Sequence, residues 1–323
     1  MPHAARKRQY GAYYTKQSPF ELKPFKDWVR SAGLDDCTVL EPFAGANDIV
    51  RMLQDSGACS RFACYDVSGG AGQPAKDGIQ VRRQDTLESF PAGYRVCITN
   101  PPWLARNSAR RRGLEFRAPD RYDDVYKYAL ELALANCSYV AFIIPATFLR
   151  SRLFRHKLKA FVLLERRLFT DTDNPVCLAL FTPRPRRTEV WADNERLGYL
   201  DELEERYNLN VRTESGRRVR FNSPGGALGL RGVDNTKEPS IHFCRGSELA
   251  HRTVKHSDRS ITRIDPGVRV TSKTIEELNE FLYKFRRDIH DVFLAPFKGL
   301  REDGHYRRRL DYATARGLIS CNV

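Results

Sequence analysis

Residues 39–49 read VLEPFAGANDI, an apolar stretch that enters a tight turn and then a more polar segment. The residues up to Leu40 suit a short buried strand that begins near Cys37, and Gly45 permits the turn. Residues 48–56 have the spacing of a helix. The order strand, turn, helix is the first half of a βαβ unit. The stretch therefore predicts the start of an α/β domain.

Short apolar strands and helical stretches alternate through the first half of the chain. The predicted strands are 62–65, 80–83, 95–99, 139–144 and 176–181, with an edge strand at 163–168. The predicted helices between them are 122–136 and 152–161. Because strands that alternate with helices form parallel sheets, the pattern predicts a doubly wound, mostly parallel α/β sheet.

A change in composition divides the chain after residue 182. Residues 182–187 read TPRPRR, which suits neither a helix nor a strand, and we place a domain boundary there. The predicted domains are therefore 1–182 and 183–323. Helices predicted at 197–207 and 274–293, with short strands at 219–221 and 241–244, make the second a smaller mixed α+β domain.

Charge and cysteine content narrow the classes of function. The 323 residues carry a net charge of +14, with a basic excess in both halves. A polyanionic partner explains this charge, and a solvated surface is the alternative. No apolar run reaches the roughly 20 residues of a membrane span, and no apolar stretch follows the basic N-terminal residues, so we expect neither a membrane segment nor a secretory signal. The eight cysteines form no C-x-x-C pair, so we expect no metal site, no disulfides and a cytoplasmic location.

The sharpest chemical signal is residues 97–103, CITNPPW. The two prolines end the predicted strand in a stiff turn and contribute no N–H groups. The side-chain oxygen of Asn100 and the carbonyl of Pro101 are then two acceptors beside the flat ring of Trp103. That arrangement suits an amino group on a planar ring. The alternative is that the turn only ends the strand and that Trp103 packs in the core.

Acidic residues follow three of the predicted strands. Glu41 would repel a pyrophosphate and suits a positively charged ligand, and the turn after it has one glycine where the dinucleotide fingerprint has three. Asp66 lies where an acid can hold ribose hydroxyls, and Asp85 follows the next strand. Each acid alone could be a helix cap, but the three together predict a ligand site at the strand ends.

In order and spacing, these motifs resemble those of S-adenosylmethionine-dependent DNA adenine-N6 methyltransferases of the N-P-P-W, gamma-type order. In that class the cofactor motifs precede the catalytic motif and the target-recognition region is C-terminal. The matching stretches are Tyr10–Thr15, Glu41–Gly45, Asp66, Asp85, Asn100–Trp103, Asp124–Tyr128, Ile144–Leu149 and Phe169. This chain departs from the family at Lys16, where a proline is usual, and at Asn47, where a glycine is usual.

The resemblance implies direct transfer of the methyl group of S-adenosyl-L-methionine to the N6 amino group of a flipped adenine in double-stranded DNA. It implies a methyltransferase (Rossmann-like) sheet in residues 1–182 and a target-recognition, DNA-binding domain in 183–323. The implied catalytic residues are Asn100, Pro101, Pro102 and Trp103. The implied cofactor-binding residues are Tyr14, Thr15, Glu41, Pro42, Phe43, Gly45, Asp66, Asp85 and Asn100. Trp103 and Phe169 would stack on the target base.

Arginines are the candidates for contacts with the DNA backbone, with a solvated loop as the alternative. They are Arg106, Arg110, Arg111, Arg112, Arg217, Arg218 and Arg220. We expect a monomer in the cytoplasm of a bacterial or phage-infected cell, in a restriction-modification, phage or host-protection setting that allows for a companion restriction endonuclease. Two alternatives stay open. One is an amino-methyltransferase acting on RNA or on a protein glutamine, and the other is a catalytically silent methyltransferase fold that binds nucleic acid.

Overall fold

The computed structural model describes residues 18–68, 78–165, 168, 174–207, 209, 219–249 and 260–322. The chain divides into two compact units, Met1–Arg196 and Leu197–Val323. The boundary predicted at residue 182 comes before this division, because two further strands after it join the first sheet. In the described residues, no helix combines the length and the apolar composition that crossing a membrane requires.

The first unit is built on a nine-stranded sheet, whose last strand continues past Arg196, with the order β3-β2-β1-β4-β5-β7-β6-β8-β9. Strands β1 to β5 pair in parallel, whereas β7 lies antiparallel between β5 and β6. The strands are β1 (Val39–Glu41), β2 (Phe62–Asp66), β3 (Val81–Arg83), β4 (Val96–Thr99), β5 (Tyr139–Pro145), β6 (Leu158–Leu164), β7 (Val176–Phe181), β8 (Glu189–Ala192) and β9 (Glu195–Tyr199). The predicted doubly wound, mostly parallel sheet is confirmed.

One helix of this unit precedes its first strand, and the others lie between strands. The helices are α1 (Lys23–Ala32), α2 (Asp48–Asp55), α3 (Arg106–Arg111), α4 (Val125–Asn136) and α5 (Phe148–Ser151), with 3₁₀ turns at Pro19–Glu21 and Arg155–Lys157. Helix α4 follows an aspartate N-cap and buries Val125, Ala129 and Ala133 along one side. The core of the sheet is β5 and β7, which are apolar nearly throughout because both of their faces are covered.

The helix predicted over residues 152–161 is wrong. The chain makes a 3₁₀ turn and then strand β6, which pairs with β7 on one side and with β8 on the other. A strand buried on both faces has no polar–apolar alternation, so its apolar run also satisfies the helical period. Because β6 pairs along both of its edges, this segment forms a strand and not a helix. The hairpin of β8 and β9 was also missed, and its turn places Asp193 at a φ of 43°.

The second unit is a smaller α+β arrangement, as predicted. A four-stranded sheet has the order β10-β13-β11-β12, and β14 and β15 form a separate pair. Its elements are α6 (Leu200–Arg206), β10 (Arg220–Phe221), β11 (Leu228–Arg231), β12 (His242–Arg245), a 3₁₀ turn (Gly246–Glu248), β13 (Ile261–Asp265), α7 (Ser272–Asp288), β14 (Ala295–Leu300), β15 (Tyr306–Arg309) and α8 (Tyr312–Asn322). Helix α7 begins at a Thr271 capping box and buries Leu278, Leu282 and Phe285, and it covers most of the helix predicted at 274–293.

Candidate active site

The strand order brings the predicted motifs to one edge of the sheet. Strands β3, β2, β1 and β4 are consecutive neighbours and all run parallel. Their carboxyl ends therefore lie side by side, which is where ligands bind in doubly wound folds. Glu41 ends β1, Asp66 ends β2, and Asn100 directly follows β4.

Glu41 is a buried acid with one hydrogen-bonded oxygen. Its Oε1 accepts from the backbone N–H of Phe43 at 2.9 Å and from the hydroxyl of Thr99. Its Oε2 is buried and has no hydrogen-bond partner among the described residues. Burial, with the charge of Asp66 adding to it, raises the pKa of Glu41 to about 8. Burial therefore favours the neutral, protonated form of this side chain.

The turn after Glu41 is open to a ligand. Gly45 has a φ of 52°, and a Cβ built on it would meet its nearest atom, the Phe43 carbonyl, only at 4.0 Å. Asn47 has a φ of 61°, a left-handed conformation that glycine adopts freely and asparagine tolerates. Asn47 therefore adopts a conformation that a glycine at this position could also adopt.

Asp66 closes the turn from the neighbouring strand. Its Oδ2 accepts from the N–H of Gly45 at 3.0 Å, and its Oδ1 accepts from the N–H of Ser68 at 2.8 Å and from the Ser68 hydroxyl. The N–H of Ala44 donates to the Tyr65 carbonyl at 2.9 Å. These bonds hold the two predicted cofactor segments against each other.

Asp85 already has a cationic partner in the protein. Its carboxylate forms an ion pair with Arg117, which also reaches Glu88 at 3.0 Å, and accepts from the Leu87 N–H at 3.1 Å. The hydroxyl of Thr86 donates to the Pro42 carbonyl at 2.9 Å. The turn at residues 85–86 is thereby joined to the turn after β1.

The predicted tetrad leaves the sheet at the end of β4. Thr99 is fully buried and its bond to Glu41 ties this strand end to the predicted cofactor loop. Pro101 is buried, whereas Asn100 and Pro102 are half-buried. Trp103 is 6% exposed, so most of its surface is covered by protein.

The predicted DNA-contacting arginines differ in their surroundings. Arg106 pairs with Asp120 at 2.9 Å, donates to the Tyr122 carbonyl at 2.8 Å and lies over the Phe116 ring. Arg111 bonds to its own helix, and Arg220 pairs with Asp265. Arg110 and Arg112 are exposed and form no ion pair within the described part of the chain. Five predicted site residues lie outside the described part of the chain, and their roles stay predictions: Tyr14, Thr15, Phe169, Arg217 and Arg218.

Sequence reasoning missed three contacts that shape the site. They are the Thr99–Glu41 hydrogen bond, the Arg117–Asp85 ion pair and the bond from the Leu104 N–H to Asp124 at 3.0 Å. An aspartate directly before an apolar helical run is an N-cap pattern, which could have marked Asp124 as the start of α4 but not its bond to Leu104. In the residues that the structure describes, no group of three or more His, Cys, Asp or Glu side chains could hold a metal ion.

Comparison with known proteins found distant structural likeness only. No family model matches the chain, and no curated protein does. A type I restriction-modification methyltransferase subunit from Streptococcus thermophilus is 13% identical at a TM-score of 0.40, covering 62% of this chain and 53% of that chain. A protein from Listeria monocytogenes assigned to the class I S-adenosylmethionine-dependent methyltransferases is 14% identical at 0.37, covering 55% and 68%.

A third similar structure is the DrdV–DNA complex, 14% identical at a TM-score of 0.41, covering 60% of this chain and 28% of that one. The chain thus spans about half the length of the first structure and little more than a quarter of the third.

Proposed function

We propose that this chain is an S-adenosylmethionine-dependent methyltransferase that modifies the N6 amino group of adenine in duplex DNA. The observation that supports it most is the hydrogen bond from the Thr99 hydroxyl to Glu41. It joins the strand that enters the predicted cofactor turn to the strand that ends in Asn100-Pro101-Pro102-Trp103. A methyl donor and an amino acceptor would have to meet between those two strand ends.

The residues at the strand ends fit the cofactor. The buried Oε2 of Glu41 lacks a partner among the described residues and, once ionised, would pair with the ammonium of the methionine part. The open side of Gly45 leaves room for a ligand against the backbone. Asp66 keeps lone pairs for ribose hydroxyls beside its bonds to Gly45 and Ser68. When bound, S-adenosylmethionine supplies an electrophilic methyl group carried on a sulfonium.

Asn100 and Pro101 would prepare the amino group for transfer. The N6 lone pair of adenine is delocalised into its ring and is a weak nucleophile. Hydrogen bonds from the two amino hydrogens to the Asn100 side-chain oxygen and the Pro101 carbonyl favour a pyramidal nitrogen, whose lone pair then points away from the ring plane. Positioning alone can supply roughly 7–11 kcal/mol, and no covalent intermediate with the protein is needed.

Access to N6 requires the adenine to leave the duplex. Flipping costs a few kcal/mol of unstacking. Trp103 and Phe169 are the proposed stacking partners, each returning roughly 1–3 kcal/mol. A net charge of +14 supports duplex DNA as the partner. A restriction-modification, phage or host-protection setting and a companion endonuclease belong to the same proposal.

A catalytically silent fold is the second candidate function, and one observation favours it. Two of the three acids proposed for the cofactor are engaged by the protein itself, Asp85 by Arg117 and Asp66 by Gly45 and Ser68. In a silent subunit these contacts would be permanent. Calorimetric titration with S-adenosylmethionine separates the two, because a silent fold of this kind gives no binding heat.

The first prediction concerns Asn100. Asn100→Ala should abolish methyl transfer while the cofactor dissociation constant stays within a few fold, because Asn100 acts on the target amino group. Tritium transfer from labelled S-adenosylmethionine to unmodified duplex DNA measures this. The matched control is Asn107→Ala, an exposed asparagine on α3 that should keep full activity.

The same assay with RNA or protein in place of DNA identifies the substrate class. Transfer to RNA or to protein glutamine in preference to duplex DNA would contradict the adenine-DNA proposal. Wild-type turnover by Asn100→Ala would contradict the assignment of the tetrad.

A further inference from the structure

The turn that carries the predicted tetrad cannot be fixed by its own prolines. Pro101 and Pro102 have no backbone N–H, so neither can donate a hydrogen bond to a neighbouring segment. The nearest donors after them are the N–H groups of Trp103 and Leu104. Whatever holds Leu104 therefore sets the direction in which the chain leaves the tetrad.

Leu104 is held by the segment before helix α4. Its N–H donates to Oδ1 of Asp124 at 3.0 Å, and its carbonyl accepts from the Val125 N–H at 3.2 Å. The next residues continue the contact, with an antiparallel bridge between Ala105 and Asp124 and a bond from the Arg106 N–H to the Asp123 carbonyl at 2.7 Å. These contacts join segments about twenty residues apart in the chain, and they begin at the residue directly after Trp103.

Asp124 serves this contact and the helix together. The same Oδ1 that accepts from Leu104 also accepts from the Tyr126 N–H at 3.4 Å, which caps α4. Val125, Tyr126 and Ala129 of α4 are buried, so the helix is a fixed frame. Burial raises the pKa of Asp124 to about 6, with Asp123 adding to that shift and Lys127 opposing it.

We infer that Asp124 is a positioning residue for methyl transfer: its side-chain oxygen ties Leu104 to α4 and so holds Asn100 and Pro101 in their working orientation. Asp124 does not touch the substrate. The inference rests on the proposed function, but the restraint on Leu104 can be measured without any activity.

The test compares Asp124→Ala with Asp124→Asn and with a variant that removes the N-cap of another helix. Asparagine keeps the accepting oxygen and alanine removes it. Thr271→Ala is the matched control, because the Thr271 hydroxyl accepts from the Thr274 N–H at 3.1 Å and caps α7 in the second unit. Hydrogen exchange at the Leu104 and Arg106 amides is followed at a fixed interval below each melting temperature, alongside kcat and KM.

Asp124→Ala should speed exchange at both amides at least tenfold and lower kcat at least tenfold, with KM for the cofactor within threefold. In Asp124→Asn, amide exchange and kcat should stay close to the wild-type values. In Thr271→Ala, neither the exchange at these two amides nor kcat should change. Unchanged exchange in Asp124→Ala with a lower melting temperature would make Asp124 a helix cap only and overturn the inference. An Asp124→Asn variant as impaired as alanine would also overturn it. If the wild type methylates nothing, the proposed function fails while the exchange data still decide the restraint.

Discussion

Burial in the folded protein disfavours the charged form of the Glu41 carboxyl group. The side chain is 1% exposed and its pKa is raised to about 8 by burial, against an ordinary 4.5. In the folded protein the proton therefore stays on Glu41 up to about pH 8, whereas the unfolded chain releases it near 4.5. The contribution of Glu41 to the free energy of unfolding should therefore fall as the pH rises between these two values and level off above them.

Replacing Glu41 by glutamine should remove this pH dependence. Glutamine keeps an oxygen to accept from Thr99 and Phe43 but does not titrate. Near pH 5 the variant and the wild type should be alike, and above pH 8 the variant should be more stable by roughly 3–5 kcal/mol. Urea denaturation from pH 5 to 9 measures the difference, with Glu280→Gln on the exposed side of α7 as the control. Parallel curves for Glu41→Gln and the wild type would contradict the burial argument.

Site residues at the end of an apolar strand could be predicted, because the sequence shows where such strands end. Glu41, Asp66 and Asn100 follow apolar strands, so the sequence places them at one sheet edge, and the structure brings them there. The partner of Asp85 was not predictable, because Arg117 is far along the chain and reaches it only through the folded loop. Cofactor and substrate roles for all of these residues remain predictions.

Among the secondary-structure elements, β6 shows that a single stretch of sequence does not always distinguish a strand from a helix. Its residues suit a helix or a buried strand equally well, and the pairing of β6 with β7 and β8 decides between them. The distinction has an energetic consequence. Phe161 lies in the middle of β6 and is fully buried, whereas Lys159 in the same strand is half-exposed and pairs with Glu189 at 2.8 Å.

Phe161→Ala should therefore lower the free energy of unfolding by roughly 3–5 kcal/mol, the cost of a cavity in a packed core. Lys159→Ala should lower it by no more than about 1 kcal/mol, since partly exposed ion pairs contribute little. Chemical denaturation of the two variants side by side measures the contrast. Equal losses would mean that Phe161 does not lie in a core strand.

The elements that were predicted correctly share a local cause. Strands β4, β5 and β7 are short apolar runs bounded by turn residues, and α4 has an N-cap and a helical stripe. The pair β14 and β15 and the hairpin of β8 and β9 were missed, because their residues are mixed in polarity. Their strand character comes from the neighbours with which they pair, which a single stretch does not reveal.

For the molecule as a whole, the net charge of +14 overstates the cations available to a partner. In the second unit, Arg286 and Arg301 bind the buried carboxylate of Asp234, at 2.8 Å and 3.5 Å. In the first unit Arg106 and Arg117 are used in internal contacts of the loop after the tetrad. Arginines bound in this way support the fold, so the proposed phosphate contacts would have to come from the exposed remainder.

Arg110, near the end of helix α3, and Arg112, directly after that helix, are exposed members of that remainder. If both contact phosphates, binding to duplex DNA should fall steeply with salt, and Arg110→Ala/Arg112→Ala should make the slope of log K against log salt about 1.8 units shallower. The melting temperature should not change, because neither arginine pairs within the described chain. Arg106→Ala is the contrasting variant and should lower the melting temperature through loss of its bonds to Asp120 and Tyr122. Fluorescence anisotropy across a salt series measures the slopes. A wild-type slope near zero would exclude nucleic acid as the partner, whereas a steep slope that the double variant leaves unchanged would move the phosphate contacts to other arginines.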